Sequence, residues 1–173
     1  PKGVAIAPHS AVTLMHWARD RFEPGQWSAM LASTSVCFDL SVFEIFAPLS
    51  WGGPVILVDN ALEFATLDDR QQISFVNTVP SAMIELLRLG RIPPGLRAVG
   101  LAGEPLQNAL VQSLYRAGVE QVFNLYGPSE DTTYSTCALV PRGDGQSVSI
   151  GRPVANTRLY VLDDVLRPVD VGV

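Results

Sequence analysis

The sequence predicts an α/β fold built on a parallel sheet with crossover helices. Apolar runs rich in β-branched residues alternate with segments of helical spacing. These runs lack polar alternation, which is typical of strands buried on both faces of a sheet. In a chain of 173 residues, 47% are apolar and only 17% are charged, a composition that excludes disorder. At roughly 150 residues per domain, the length fits one domain or a piece of one.

The predicted elements follow one another in the order strand, helix, strand. Prolines at positions 80 and 105 stand where helices begin, and Gly90 and Gly118 stand where they end. The predicted strands cover residues 29–34, 54–58, 73–78, 98–102 and 121–125. The apolar residues with helical spacing are Val42, Ile45, Phe46 and Leu49, then Met83, Leu86 and Leu87, and then Leu110, Leu114 and Ala117.

The pattern changes after Glu130. Residues 132–140 and 158–162 both resemble strands and predict a second, antiparallel sheet region. We therefore expect an α/β part over about residues 1–131 and a β-rich part over about residues 132–173.

Composition also narrows the function. Acidic residues outnumber basic ones 17 to 12, which argues against nucleic acid and anionic lipid as partners. No apolar stretch approaches the ~18 residues of a membrane span. Two cysteines far apart and no signal peptide favour a reducing cytoplasm. The first residue is Pro1 rather than methionine, so we expect an excised part of a longer protein.

Parallel α/β sheets bind ligands beyond the carboxyl ends of their strands. The turns that leave the predicted strands should therefore carry the function. These turns cover residues 35–41, 77–81, 102–105 and 124–130.

The last of these turns is the most specific feature of the chain. Its sequence, Asn-Leu-Tyr-Gly-Pro-Ser-Glu, offers a nucleotide an aromatic face at Tyr126, an amide at Asn124, a hydroxyl at Ser129 and, for Mg²⁺, a carboxylate at Glu130. The alternative interpretation is a Gly-Pro turn in which Ser129 caps a helix.

This turn resembles the Asn-x-Tyr-Gly-Pro-Thr-Glu signature of the adenylation domains of nonribosomal peptide synthetases, which are members of the acyl-adenylate-forming (AMP-binding) enzyme superfamily. Four other motifs agree and stand in the same order, so the resemblance spans the whole chain. They are the Pro-Lys-Gly tail of a phosphate loop at residues 1–3, Phe-Asp-Leu-Ser at 38–41, Ala-Gly-Glu at 102–104 and Ile-Gly-Arg-Pro at 150–153. The chain departs from the family at Pro8, where a histidine is usual, and at Asp131, where a threonine is frequent.

The resemblance implies roles in binding ATP and Mg²⁺. Tyr126 would stack on adenine, while Asn124 and the turn at Gly103 and Glu104 would meet the adenine edge. Gly127 would shape the turn, Ser129 would approach the α-phosphate, and Glu130 would bind the Mg²⁺ of ATP. The implied nucleotide set is Gly103, Glu104, Asn124, Tyr126, Gly127 and Ser129, with Glu130 as the metal ligand.

The resemblance also implies an amino-acid site. Asp39 would pair with the α-ammonium of the substrate, a contact that a fatty acid or aryl acid would not need; its alternative role is a helix N-cap. A small pocket without a charged floor predicts alanine, followed by serine, cysteine or glycine. The side-chain pocket would consist of Leu40, Phe43, Asn77, Gly100, Ala102, Leu125, Thr133 and Tyr134, together with Asp39.

The implied reaction forms aminoacyl-AMP and pyrophosphate, followed by transfer to a phosphopantetheine thiol on a peptidyl carrier protein. An MbtH-like protein is a further implied partner. The family's catalytic lysine, hinge, ribose-binding acidic residue and the front of the phosphate loop have no match here; Lys2 belongs to a different motif, and we expect the chain alone to be inactive. Two alternatives stay open: an acyl- or aryl-acid:CoA ligase of the same superfamily, and a non-catalytic docking module.

Overall fold

A computed structural model of the chain describes residues 3–67, 72–93, 95–143, 147–170 and 172. Pro1 and Lys2 of the predicted phosphate loop lie outside the described residues. The helices are α1 (Pro8–Arg21), α2 (Leu40–Ser50), α3 (Pro80–Arg88) and α4 (Asn108–Arg116). The strands are β1 (Met30–Ala32), β2 (Val55–Leu57), β3 (Phe75–Thr78), β4 (Ala98–Leu101), β5 (Gln121–Tyr126), β6 (Thr136–Leu139) and β7 (Arg152–Pro153).

The seven strands form one sheet in the order β2-β1-β3-β4-β5-β6-β7. The first five strands are parallel, and β6 and β7 are antiparallel to their neighbours. The predicted α/β class is confirmed. The expectation of a second sheet is wrong, because β6 pairs with β5 and extends the same sheet.

The sheet is covered on both faces, as the absence of polar alternation predicts. Side chains alternate across the strands, so Phe75 and Phe123 face one way while Val76 and Val122 face the other. The first pair packs in a cluster with α1 and α2 that includes Trp17. The second pair packs with the buried residues of α3 and α4.

Three element predictions need correction. Residues 158–162 form no ladder strand, and Leu162 makes only an isolated bridge to Pro168. Helix α4 begins at Asn108, three residues after the proline expected to open it. In α2 the apolar residues Phe46 and Leu49 are exposed, and the buried face instead holds Ser41, Phe43, Glu44, Ala47 and Pro48. Nearly all of α2 is apolar, so hydrophobic spacing alone does not identify its buried face.

The longest described helix, α1, has 14 residues. A bilayer span needs about 20 residues. Accordingly, no helix within the described part of the chain is long and apolar enough to cross a membrane.

Candidate functional site

The parallel register brings the carboxyl ends of four strands to one edge of the sheet. Leu31 of β1 pairs with Val76 of β3, and Thr78 of β3 pairs with Leu101 of β4. Leu101 in turn pairs with Asn124 of β5. The four turns singled out in the sequence therefore lie side by side at this edge.

The predicted side-chain pocket is a compact cluster. The Phe43 and Tyr134 rings meet edge to face with centroids 5.2 Å apart. The Tyr134 hydroxyl donates to Asn77 Oδ1 at 2.9 Å, and the Thr133 hydroxyl donates to the Asp39 carbonyl at 3.3 Å. Ala102 and Leu125 are buried in the same cluster, and Leu40 packs against it. The structure thus brings this set of predicted residues together.

Gly100, another residue of the predicted pocket, packs closely against two side chains of the cluster. An added Cβ would lie 2.8 Å from Asn77 Oδ1 and 2.9 Å from Leu125 Cδ1. These distances are shorter than carbon atoms tolerate. The Asn77 side-chain amide therefore lies in close contact with the β4 backbone at Gly100.

Sequence reasoning missed Glu44, one residue after Phe43 on α2. Its side chain is fully buried, and its carboxylate accepts hydrogen bonds from the Ser33 and Thr34 amides, each at 2.9 Å, from the Thr34 hydroxyl at 2.6 Å and from Asn77 Nδ2 at 3.1 Å. The available signal was a lone acidic residue within an apolar helix, since buried carboxylates need such partners.

Burial sets the ionisation of this cluster. Burial raises the pKa of Glu44 above its ordinary value. The hydrogen bonds from Thr34, Ser33 and Asn77 lower this pKa, but the effect of burial is larger. Burial also raises the pKa of Tyr134 well above its ordinary value, and the nearby negative charge of Glu44 adds to that effect. Tyr134 therefore stays a neutral hydroxyl donor.

The loop after β5 is held in an uncommon conformation. Thr132 and Thr133 both adopt left-handed backbone angles, with φ of 61° and 69°, which β-branched residues rarely take. Ser135 Oγ donates to the Asp131 carboxylate at 2.5 Å across this segment. Asp131, which stands where the family often has threonine, thus stabilises the loop that carries Thr133 and Tyr134.

The predicted nucleotide residues lie around the same edge, and two of them have partners within the chain. Asn124 Nδ2 donates to the Ser149 carbonyl at 2.9 Å. The Glu104 carboxylate accepts from the Ser81 amide at 2.9 Å and from the Ser81 hydroxyl at 2.8 Å, at the start of α3. Gly103 is exposed with φ of 79°, so the turn depends on glycine.

The residues after β5 are accessible to a ligand. The Tyr126 side chain is 52% exposed, and Ser129 and Glu130 are exposed in a short 3-10 turn. Glu130 and Tyr134 line one cavity of about 400 Å³, so the predicted metal ligand and one residue of the predicted pocket face the same space. His9, which has no predicted role, lines the same cavity.

The donor set suits a magnesium ion that is shared with phosphates. Within residues 3–67, 72–93, 95–143 and 147–170, no three histidine, cysteine or acidic side chains form a metal-binding group. Mg²⁺ is usually held by one or two carboxylates together with substrate phosphates and water. An exposed carboxylate at Glu130 fits that pattern.

Comparison with known proteins extends this picture. The family model described as AMP-binding enzyme matches residues 1–173. A linear gramicidin synthase of Brevibacillus parabrevis is 56% identical over 99% of this chain, which covers 3% of that protein. AMB antimetabolite synthetase AmbB of Pseudomonas aeruginosa is 45% identical over the whole chain, which covers 14% of it.

A solved structure shares the fold. Holo-AB3403, a four-domain nonribosomal peptide synthetase bound to AMP and glycine, matches 98% of this chain with a TM-score of 0.86 and 29% identity, and the chain covers 13% of it. The resemblance predicted from five motifs is confirmed. The chain belongs to the AMP-binding enzyme family, and within that family its similarity is to the adenylation domains of nonribosomal peptide synthetases.

Proposed function

We propose that this chain is part of the amino-terminal core of an amino-acid adenylation domain that activates a small amino acid with ATP. The α/β part would cover about residues 1–131 and the β-rich part about residues 132–173. The small share of each relative that the chain covers supports a larger parent enzyme.

The observation that carries the proposal is the position of Asp39 beside the buried cluster that holds Phe43 and Tyr134. Asp39 is half-buried at the start of α2, and its side chain caps no backbone amide there. Its carbonyl contacts Thr133, the neighbour of the pocket residue Tyr134. A carboxylate beside a cluster this tightly packed suits a substrate that has an ammonium group and a short side chain.

The substrate we propose is alanine, with serine, cysteine and glycine as weaker candidates. Phe43 and Tyr134 fill the pocket volume, and both are fully buried. Asn77 already bonds to Glu44 and Tyr134, which leaves little polar capacity for a substrate side chain. The glycine bound to holo-AB3403 agrees with a small substrate.

The nucleotide would lie along the turns after β4 and β5. Tyr126 would stack on adenine, the turn at Gly103 would meet the adenine edge, and Ser129 would approach the α-phosphate. Because the Glu104 and Asn124 side chains have partners within the chain, we assign the adenine contact at Glu104 to its backbone and leave Asn124 one free amide hydrogen. Glu130 would hold Mg²⁺, which offsets phosphate charge when it is bound.

In the proposed reaction a carboxylate oxygen of the amino acid attacks the α-phosphorus of ATP, and the bond to pyrophosphate breaks. This step needs positioning and charge stabilisation rather than a side-chain nucleophile. The aminoacyl group would then pass to a phosphopantetheine thiol of a carrier protein, and an MbtH-like protein is a further proposed partner. The four-domain organisation of holo-AB3403 supports a parent enzyme that works together with further domains.

Pyrophosphate exchange on the full-length parent protein, measured with each of the twenty amino acids, tests the proposal. We expect alanine to give the highest turnover. A large or charged amino acid in first place would contradict the substrate assignment. Absence of ATP binding would instead favour a non-catalytic docking module.

Replacing Asp39 separates amino-acid activation from acyl- or aryl-acid activation. A hydrogen bond to a charged group contributes about 1.5 to 3 kcal/mol. We therefore expect Asp39→Ala to lower kcat/KM for the amino acid about 10- to 150-fold, with the KM for ATP unchanged. Asp59→Asn, in an exposed turn after β2, is the matched control. An Asp39→Ala variant that activates its acid at the original rate would favour the CoA-ligase alternative.

A further inference from the structure

The buried carboxylate of Glu44 has no part in the proposed chemistry, yet it contacts a pocket residue directly. Its side chain has no exposed surface. One oxygen accepts from the Ser33 and Thr34 amides and the other from the Thr34 hydroxyl and Asn77 Nδ2. Four donors on two oxygens match the acceptor-only carboxylate form.

This arrangement determines the orientation of the Asn77 amide. A carboxylate can only accept, so Asn77 must turn its NH₂ group towards Glu44. Its carbonyl oxygen, Oδ1, then points towards the Tyr134 hydroxyl, which donates to it at 2.9 Å. The opposite amide orientation would place Oδ1 against the carboxylate, where two acceptors repel.

The chain of contacts ends at the pocket floor. Tyr134 is 1% exposed, and its ring meets Phe43 of the same helix that carries Glu44. Gly100 lets the Asn77 oxygen approach β4 so closely that no Cβ would fit. A buried hydroxyl that loses its partner incurs a desolvation penalty, so the orientation of Asn77 holds the Tyr134 ring in place.

We propose that Glu44 is a positioning residue which, by orienting Asn77, fixes Tyr134 as the floor of the side-chain pocket and so sets the size limit for the substrate. This inference rests on the proposed function as an amino-acid-activating enzyme. It adds to the predicted pocket a residue that does not touch the substrate.

A Glu44→Gln variant tests the orientation. The glutamine oxygen would remain on the two backbone amides, which cannot reorient, and its NH₂ group would face Asn77. Asn77 would then flip and present Nδ2 to Tyr134, whose hydroxyl hydrogen loses its acceptor. The Tyr134 ring would then be held less firmly, and the pocket would accept a substrate with a longer side chain.

The readout is the selectivity of the full-length enzyme in pyrophosphate exchange. Selectivity is the ratio of kcat/KM for the preferred amino acid to that for its homologue with one more methylene. One methylene is discriminated by about 10- to 200-fold in apolar pockets. We expect Glu44→Gln and Tyr134→Phe each to lower selectivity about tenfold, and the double variant to lower it no further than either single change.

Three controls separate positioning from a general loss of stability. Glu85→Gln changes a carboxylate that is paired with Arg88 on the outer side of α3 and should leave selectivity unchanged. Thr34→Val removes a Glu44 donor without touching Asn77, so it should lower the unfolding temperature but not the selectivity. Asn77→Leu keeps the number and branching of the side-chain heavy atoms but removes both hydrogen-bonding groups, and it should reproduce the loss of selectivity even if Glu44→Gln does not fold.

Two results would overturn the inference. One is a folded Glu44→Gln or Asn77→Leu variant whose selectivity stays within twofold of the wild type. The other is a double variant in which the two tenfold losses multiply. Since selectivity is defined against whichever amino acid the wild type prefers, an error in the alanine assignment would appear in the wild-type scan and leave this test intact.

Discussion

Single residues in this site are constrained by close contacts with backbone. Gly127 in the turn after β5 shows this most clearly, because an added Cβ would lie 2.5 Å from the Ser135 amide nitrogen and 2.7 Å from Tyr134 Cα. Backbone atoms cannot rotate away as a side chain can. The glycine of the signature turn therefore has a packing reason that is independent of any ligand.

Gly127→Ala should destabilise the domain by about 3 kcal/mol, at the upper end of the usual overpacking cost. Gly3→Ala is the matched control, because an added Cβ there meets no atom of the described residues within 4 Å. Urea unfolding of the domain that contains this chain measures both effects. Equal midpoints for the two variants would show that the loop relaxes more readily than its backbone contacts indicate.

Glu44 gives the protein a pH dependence whose sign is fixed by burial. Because burial raises its pKa, the folded state holds this proton more tightly than the unfolded state. The resulting stability is fully present below the ordinary pKa of 4.5 and is lost as pH rises through the raised pKa. The Glu44→Gln variant lacks this dependence.

We therefore expect the stability of the wild type relative to Glu44→Gln to fall as pH rises from 4.5 to 7.5. Unfolding free energies measured at several pH values in that range check the trend. Parallel profiles for the two proteins would mean that the Glu44 pKa does not change on folding.

The elements of the fold were largely predictable from the sequence. Strands β1 to β5 follow from runs of apolar, β-branched residues. Strands β1 to β4 lie inside the predicted ranges, and β5 extends one residue beyond its predicted end. The buried face of α2 was not predictable, since burial there is decided by which side meets the sheet. The pairing of β6 with β5 was also missed, because strand propensity does not identify the partner of a strand.

The positions of the site residues were predictable from the sequence, but their individual contacts were not. The motif residues at 38–41, 102–104 and 124–130 lie at the predicted edge, because turns that follow parallel strands must meet there. The roles of individual side chains within these motifs depend on contacts between residues far apart in sequence. Asn77 bonding to both Glu44 and Tyr134 is one such case, as these three residues come from different elements.

Helix α3 depends on a contact from the neighbouring turn. No side chain at its N-cap, Val79, bonds to its first turn, and the Glu104 carboxylate supplies that bond to Ser81 instead. We expect Glu104→Ala to cost about 1 kcal/mol in unfolding free energy, the typical effect of losing a cap. Ser81→Ala should cost less, because it keeps the backbone amide donor.

The same Glu104→Ala variant should leave the KM for ATP within twofold of the wild type, since the carboxylate is engaged at α3 rather than at the adenine. Equilibrium unfolding and steady-state kinetics on the parent enzyme give the two values. A large rise in KM with unchanged stability would assign the Glu104 side chain to the nucleotide.

Across the whole molecule, one sheet organises both halves of the proposed site. Its two packed faces hold the strands in register, and its carboxyl edge brings together turns from four strands. The side chains proposed for the amino-acid pocket are mostly buried, whereas those proposed for the nucleotide are mostly exposed. We therefore expect selectivity to depend on the rigid core and ATP binding to depend on the surface turns.

A crystal structure of the full-length protein with a non-hydrolysable alanyl-adenylate analogue tests the central claim most directly. We expect the ammonium nitrogen about 2.8 Å from the Asp39 carboxylate, with the methyl group against Tyr134 and Gly100 and the adenine on Tyr126. An analogue bound away from this edge of the sheet, or an Asp39 carboxylate turned away from the ammonium, would contradict the account.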